Sequence, residues 1–155
     1  MRRSAGFTLI ELIVVLVVAA MLFAVSVPSF SKLSDSRDYK SAVQKVVAAA
    51  HMAKKRAVHR NAPVDLVFNA PERSLAIIRA GETPSRDAFS ALPRSLEISV
   101  VTAADVSPDE GLSAIRFYPT GGSSGGDITL MRHTGKGALI QVGWLLADVK
   151  QSPLP

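Results

Sequence analysis

Gly122-Ser123-Ser124-Gly125-Gly126 has the G-x-S-x-G spacing of a hydrolase nucleophile elbow, a pattern that must be weighed as chemistry before anything else. An elbow works where a strand turns sharply into a helix, with Asp and His supplied by separate segments further on. Here Asp127-Ile128-Thr129-Leu130 resumes strand alternation at once, and His133, the one histidine that follows, stands too near in sequence for a separate triad loop. The segment reads as a glycine-rich hairpin connection. It is no phosphate-binding loop either, because Gly135-Lys136-Gly137 lacks Ser or Thr after the lysine and Leu130 occupies the position of the first glycine.

His51 and His59 fall on a basic helical stretch and His133 in or after a strand, with no second ligand at a persuasive spacing. Asp105, Asp109 and Glu110 crowd one loop; a calcium loop is one reading, but the spacing matches no EF-hand and a solvated acidic loop is the commoner explanation. The chain has no cysteine, which excludes disulfides, thiolate-bound zinc, iron–sulfur sites and a thiol nucleophile. No catalytic residue, cofactor site or metal site is expected, and the chain is not expected to be an enzyme.

One carboxylate is out of place. Glu11 lies inside an almost unbroken apolar run from Phe7 to Val27, long enough at about 1.5 Å per residue to cross a hydrocarbon core of roughly 30 Å. A carboxylate there costs a few kcal/mol unless it meets a positive partner, so an intramembrane Glu is a functional candidate by default. Arg2 and Arg3 precede the run and favour retention of the N-terminus on the cytoplasmic side. Three readings compete. A cleaved secretory signal is compatible with Ala24-Val25-Ser26, but such a peptide has no use for a Glu in its apolar core and its small-residue site should follow that core, whereas Gly6 precedes it. A plain single-pass anchor leaves both Glu11 and the Gly6-Phe7 junction unexplained. The third reading treats that junction and Glu11 as parts of one device.

The elements that carry these residues follow from periodicity. From Ser29 to about Asn61, Tyr39, Ala42, Val43, Val46, Val47, Ala50, Ala53, Ala57 and Val58 recur at intervals of three and four, one face of a helix, with Lys40, Gln44, Lys45, Lys54, Lys55 and Arg60 opposite. Pro28 predicts a kink or local break rather than a domain boundary, and Asn61-Ala62-Pro63 predicts the helix end. Beyond it the period changes. Segments 64–68, 75–79, 96–101, 114–118, 127–132 and 139–146 are short, β-branched and bounded by turn residues, with Ile115 and Phe117, Ile128 and Leu130, and Ile140, Val142 and Trp144 alternating inward. Segments 81–93 and 102–111 read as loops. The fold class is α+β: a long N-terminal helix, transmembrane in its first half and amphipathic in its second, packed on a C-terminal antiparallel sheet domain. About 127 residues follow the apolar run, enough for one small domain and not two.

Gly6-Phe7-Thr8-Leu9-Ile10-Glu11-Leu12 resembles the class III signal of type IV pilins and type II secretion pseudopilins. Two further stretches narrow the resemblance to the GspH/FimT family: Ala53-Lys54-Lys55-Arg56-Ala57-Val58-His59-Arg60-Asn61, and the segment from Ile115 to Leu130 followed by Val142-Gly143-Trp144-Leu145-Leu146-Ala147-Asp148-Val149. The resemblance implies a leader of residues 1–6 removed by a prepilin peptidase between Gly6 and Phe7, N-methylation of Phe7, and Glu11 as the assembly residue that meets a neighbour's N-terminal amine. It implies an assembly helix over 7–28 in the bacterial inner membrane and a periplasmic domain over 29–155. Trp144-Leu145 is similar to the ending usual in the type II secretion branch, whereas Ala147-Asp148 departs from the Gly-basic pair expected there.

The function so implied is that of a structural minor pseudopilin at the tip of a type II secretion pseudopilus, with major and minor pseudopilins, the peptidase, the secretin and exported proteins as partners. The alternative is a minor pilin of the FimT or FimU kind in type IV pili, one that binds DNA during uptake. Formal net charge is +5, and two of those charges, Arg2 and Arg3, lie in the leader. Lys54, Lys55, Arg56 and Arg60 form a basic cluster, but without interleaved aromatics a solvated helix face is the better explanation, so nucleic acid is not an expected partner in the preferred reading.

Overall fold

The computed structural model describes residues 8–102 and 111–155, with no side-chain description over 24–34. Helix α1 spans Leu9–Arg60. Thr8 is its N-cap: the Thr8 hydroxyl and carbonyl both accept the Glu11 N–H, at 3.3 and 3.1 Å. At the other end Asn61 adopts φ 49°, and the N–H groups of Asn61 and Ala62 donate to the carbonyls of Val58 and Ala57. This is a Schellman closure, which satisfies the last carbonyls and turns the chain before Pro63. The expected helix end therefore holds. The helical assignment also continues through Pro28, where a kink or local break was expected.

Two compact units divide the chain between Arg37 and Asp38. In the first, Leu9 to Phe23 present exposed apolar side chains on nearly every turn. At about 1.5 Å per residue this stretch covers roughly 22 Å, and among the described residues no helix is long and apolar enough to cross a membrane. The rest of the apolar run, to Val27, lies where side chains are not described.

The second unit holds the remainder of α1 and eight antiparallel strands among the described residues. Strands β1 (Val64–Asn69), β2 (Ser74–Arg79), β3 (Ser90–Ala91) and β5 (Leu112–Phe117) form one sheet in the order β3-β2-β1-β5, with β4 (Leu96–Thr102), β6 (Gly126–Arg132), β7 (Gly137–Val142) and β8 (Val149–Leu154) in a second, ordered β4-β6-β7-β8. The alanine-rich stripe of α1 explains how one helix serves both sheets. Ala42, Val43, Val46, Ala49, Ala50, Ala53 and Ala57 are buried in one core with Leu66, Phe68, Ile115 and Phe117 of the first sheet and Ile128, Leu130 and Ile140 of the second. Alanine lets the helix backbone approach the strands closely, and the large side chains fill the space from the sheet side.

Strand β1 is buried on both faces. Val64, Leu66 and Phe68 join the helix-facing core, while Val67 joins a second cluster with Ala114, flanked by Ile78, Phe89 and Leu112. The period-two alternation of a strand separates the two sets.

Several expectations need correction. The last expected strand, 139–146, stops at Val142, and Trp144 does not point inward: it is 71% exposed. A Cβ on Gly143 would collide with the Asp148 carboxylate, so a close turn follows β7 rather than more strand. Val58, placed on the apolar stripe by spacing, is half exposed. The segment 81–93 holds a short 3-10 turn, Arg86–Ala88, and β3 instead of loop alone. Strand β8 was not anticipated, because Val149-Lys150-Gln151-Ser152-Pro153-Leu154 lacks apolar alternation and pairs through its backbone with β7.

Candidate functional site

Of the N-terminal constellation, Gly6 and Phe7 lie outside the described residues, and Glu11 is described. It stands third in the helix after the Thr8 cap, so Thr8-Leu9-Ile10-Glu11 has the spacing of a capping box, and its side chain is exposed among Leu9, Ile10, Leu12 and Ile13. A carboxylate in the first turn also complements the partial positive charge of the helix N-terminus, by a few tenths to about 1 kcal/mol. That is too little to offset a lipid environment.

The G-x-S-x-G segment is a structural clamp. It joins β5 to β6, strand to strand, which leaves no helix for an elbow. The Ser124 hydroxyl accepts the Arg116 N–H at 3.0 Å, and the Ser124 N–H donates to the Arg116 carbonyl at 2.8 Å. Ser123 is buried; its hydroxyl donates to the Gly143 carbonyl at 2.9 Å and accepts the Gly125 N–H at 3.0 Å, while its N–H donates to the Trp144 carbonyl at 2.8 Å. The Ser123 hydroxyl is thereby occupied in holding the turn between β7 and β8, and the Ser124 hydroxyl in tying the segment back to β5.

That turn presents Trp144, Leu145 and Leu146 to solvent, 71%, 63% and 66% exposed. Its backbone is fastened from several sides. Besides the Ser123 bonds, the Gly143 N–H donates to the Asp148 carbonyl at 2.9 Å, and the Lys54 ammonium donates to the Leu146 carbonyl at 2.6 Å. Ala147 turns the chain with φ 45° and is itself buried in the core. Three large apolar side chains on a fixed backbone form a pre-organised contact surface, since little ordering entropy is lost when a partner covers them. Trp is also among the residues enriched where binding energy concentrates.

Lys54 corrects the picture of a simply solvated basic face. Lys54 reaches the β7–β8 turn, and Lys45 donates to the Ala91 carbonyl of β3 at 2.7 Å, so two of the helix lysines tie α1 to the sheets. Lys55, Arg56 and Arg60 remain exposed.

Sequence reasoning missed the pair Asp65 and Arg116. They face each other across β1 and β5, with Arg116 Nε donating to Asp65 Oδ1 at 2.7 Å and Arg116 Nη2 to Asp65 Oδ2 at 2.8 Å. Asp65 is 1% exposed and Arg116 28%. The hydrogen bonds that Arg116 donates to Asp65, with the charge of that carboxylate, hold the guanidinium pKa above its usual value against the opposing effect of burial. Two opposite charges at alternate positions of segments already read as strands were the available signal, but register was needed to pair them.

His51 and His59 stand exposed on α1 and His133 in the β6–β7 turn, and among the described residues no group of three or more His, Asp or Glu could hold a metal ion. Asp105, Asp109 and Glu110 lie outside the described residues.

Known proteins resemble the chain in both parts. Residues 1–27 match the Prokaryotic N-terminal methylation motif, and residues 42–145 match the family described as Type II transport protein GspH. The type II secretion system protein H of Xanthomonas campestris pv. campestris is 24% identical over 99% of this chain and 86% of its own length. The minor pseudopilin EpsH from the type 2 secretion system of Vibrio cholerae superposes with a TM-score of 0.57, at 7% identity, over 74% of this chain and 96% of its own. The type IV minor pilin FimU of Pseudomonas aeruginosa gives a TM-score of 0.52 at 12% identity, covering 78% and 92%. Both structures share the α+β pilin-like fold seen here. With well over half of its sequence matched by that one family, the chain belongs to the Type II transport protein GspH family.

Proposed function

We propose that this chain is a structural subunit of a type II secretion pseudopilus, a minor pseudopilin that assembles with other pseudopilins while carrying out no catalysis of its own. The observation that carries the reading is the exposed apolar surface of Leu9 to Phe23 with Glu11 in its first turn, joined in one chain to a domain of the GspH family. In this reading residues 1–6 are the leader, a prepilin peptidase cuts between Gly6 and Phe7, Phe7 is N-methylated, and residues 7–28 form the inner-membrane assembly helix. Residues 29–155 then face the periplasm. The freed amine of one subunit meets Glu11 of the next, so two helices pack in lipid without stranding a charge. The tip at Trp144, Leu145 and Leu146 supplies a second contact surface for neighbouring subunits, the secretin or exported protein.

The FimU-like fold and the exposed Lys55, Arg56 and Arg60 favour the second reading, a type IV minor pilin. Crosslinking of Glu11→Val in membranes tests the first. The substitution removes a polar group from lipid, so insertion and leader removal persist while crosslinks to co-expressed pseudopilins fall at least tenfold. Undiminished crosslinking to those partners refutes the pairing. Crosslinking to type IV pilins alone supports the second reading.

A further inference from the structure

Arg56, Arg60 and Arg79 line one cavity of about 180 Å³, floored by Ala62, Val64, Ile77 and Ile78. Arg56 and Arg60 lie one turn apart near the end of α1, and Arg79 ends β2 opposite Val64, so helix and hairpin bring the three together. Among the described residues none of the three forms an ion pair; Arg116 with Asp65 and Lys150 with Asp148 are bridged elsewhere. Three guanidinium groups gathered without a carboxylate repel one another, and that repulsion is relieved by an anion.

The same cavity lies on an uncovered strand edge. Strand β3 pairs only with Ser74 and Leu75. The Leu92 N–H donates to the Arg73 carbonyl on that edge, whereas the Ala80 N–H donates to the Pro63 carbonyl on the β1 side. By period-two alternation the main-chain groups of Leu75, Ile77 and Arg79 point toward the edge. Leu75 meets Ser90 and the Arg79 carbonyl accepts the Glu82 N–H, which leaves the Ile77 N–H and carbonyl and the Arg79 N–H without a strand partner among the described residues. Charge at an edge discourages pairing with strands that cannot neutralise it, and three arginines converge here, which selects for an acidic strand.

We propose that this edge is a docking site for an extended, acidic segment of a partner protein, which adds main-chain hydrogen bonds at Ile77 and Arg79, rests apolar side chains on Val64 and Ile77, and places a carboxylate among Arg56, Arg60 and Arg79. A protein segment fits better than nucleic acid, because the cavity is small, concave and apolar-floored, and no aromatic residue lines it. The site lies wholly within residues 38–155 and is independent of how the N-terminal segment is processed.

The test is fluorescence anisotropy with the full chain in uncharged detergent at physiological salt. The probes are a labelled peptide of about a dozen residues alternating Glu with Val, its Gln-for-Glu counterpart, and a duplex DNA of about 20 base pairs. The acidic peptide binds at least tenfold more tightly than the Gln peptide. Arg79→Gln lowers that affinity about tenfold and Arg79→Lys about threefold, because an ammonium keeps the charge but not the bidentate geometry. Lys55→Gln, outside the cavity, changes it less than twofold. Both side chains are exposed, and circular dichroism confirms folding of each variant. Equal affinity for the two peptides, equal losses from Arg79→Gln and Lys55→Gln, or DNA binding tighter than that of the acidic peptide overturns the proposal.

Discussion

Removing the Asp65 carboxylate is the sharpest test of what holds the first sheet together. Breaking a buried ion pair from one side costs about 3–5 kcal/mol, because the surviving charge stays desolvated. Asp65 is fully buried, but Arg116 is 28% exposed and can turn partly toward water once released. The expected loss for Asp65→Ala therefore falls to about 2–3 kcal/mol, and for a domain of this size that lowers Tm by about 8–12 °C. Arg116→Ala leaves the carboxylate stranded in the more buried position and costs more, about 3–4 kcal/mol. Thermal and urea unfolding of a fragment covering residues 29–155 measures each variant, and the double mutant completes the cycle. A coupling energy below about 0.5 kcal/mol refutes the reasoning, as does an Asp65→Ala loss larger than that of Arg116→Ala. Because the Arg116 pKa is raised above its ordinary value, its stabilisation is complete below that ordinary value and is lost only as pH climbs past the folded pKa. Between about pH 7 and 10 the difference between parent and Arg116→Ala stays flat; a steady fall over that window contradicts the assignment.

Co-expression with a prepilin peptidase removes residues 1–6 and leaves N-methylated Phe7, read by intact mass, and a bulky residue at Gly6 blocks it; cleavage after Ser26 contradicts the pseudopilin reading. Gly122→Ala places a Cβ 2.9 Å from the Trp144 carbonyl and 3.1 Å from that of Leu145, forcing the turn outward at a cost of about 1–3 kcal/mol in urea unfolding. Trp144→Ser with Leu145→Ser leaves the unfolding midpoint within about 0.5 kcal/mol of the parent, since both side chains are exposed, yet reduces crosslinking to co-expressed pseudopilins severalfold. Unchanged crosslinking removes the tip from the assembly surface.

The α+β class and most elements were readable because burial writes a period into the chain. The alanine stripe of α1 and the alternation of Ile115 with Phe117 in β5 and of Ile128 with Leu130 in β6 name the face that meets the core, whereas β1 and β2 were readable as short apolar segments bounded by turn residues. What the pattern misplaced has a common physical cause: it reports burial and cannot see main-chain pairing. Strand β8 is mostly exposed and held by its ladder to β7, and β3 is two residues long, so neither leaves a periodic trace. Trp144 continued the alternation of Ile140 and Val142 by count alone, whereas the tight approach of Gly143 to Asp148 ends the strand first. At the candidate surfaces, Glu11 was legible as a charge among apolar residues. The Asp65–Arg116 pair and the arginine cavity were not, because both require strand register.

Strand β8 does more than complete a sheet. It occupies the flank of β7, whose Leu139 and Ile140 belong to an apolar run that would otherwise offer open main-chain groups to any passing strand. Its own outer side is a poor template, with Lys150, Gln151 and Ser152 exposed and Pro153 lacking an N–H to donate. A subunit that assembles with others gains from such a seal: the second sheet ends in a segment that refuses further strands, and on that flank contact is left to side-chain surfaces such as the one around Trp144.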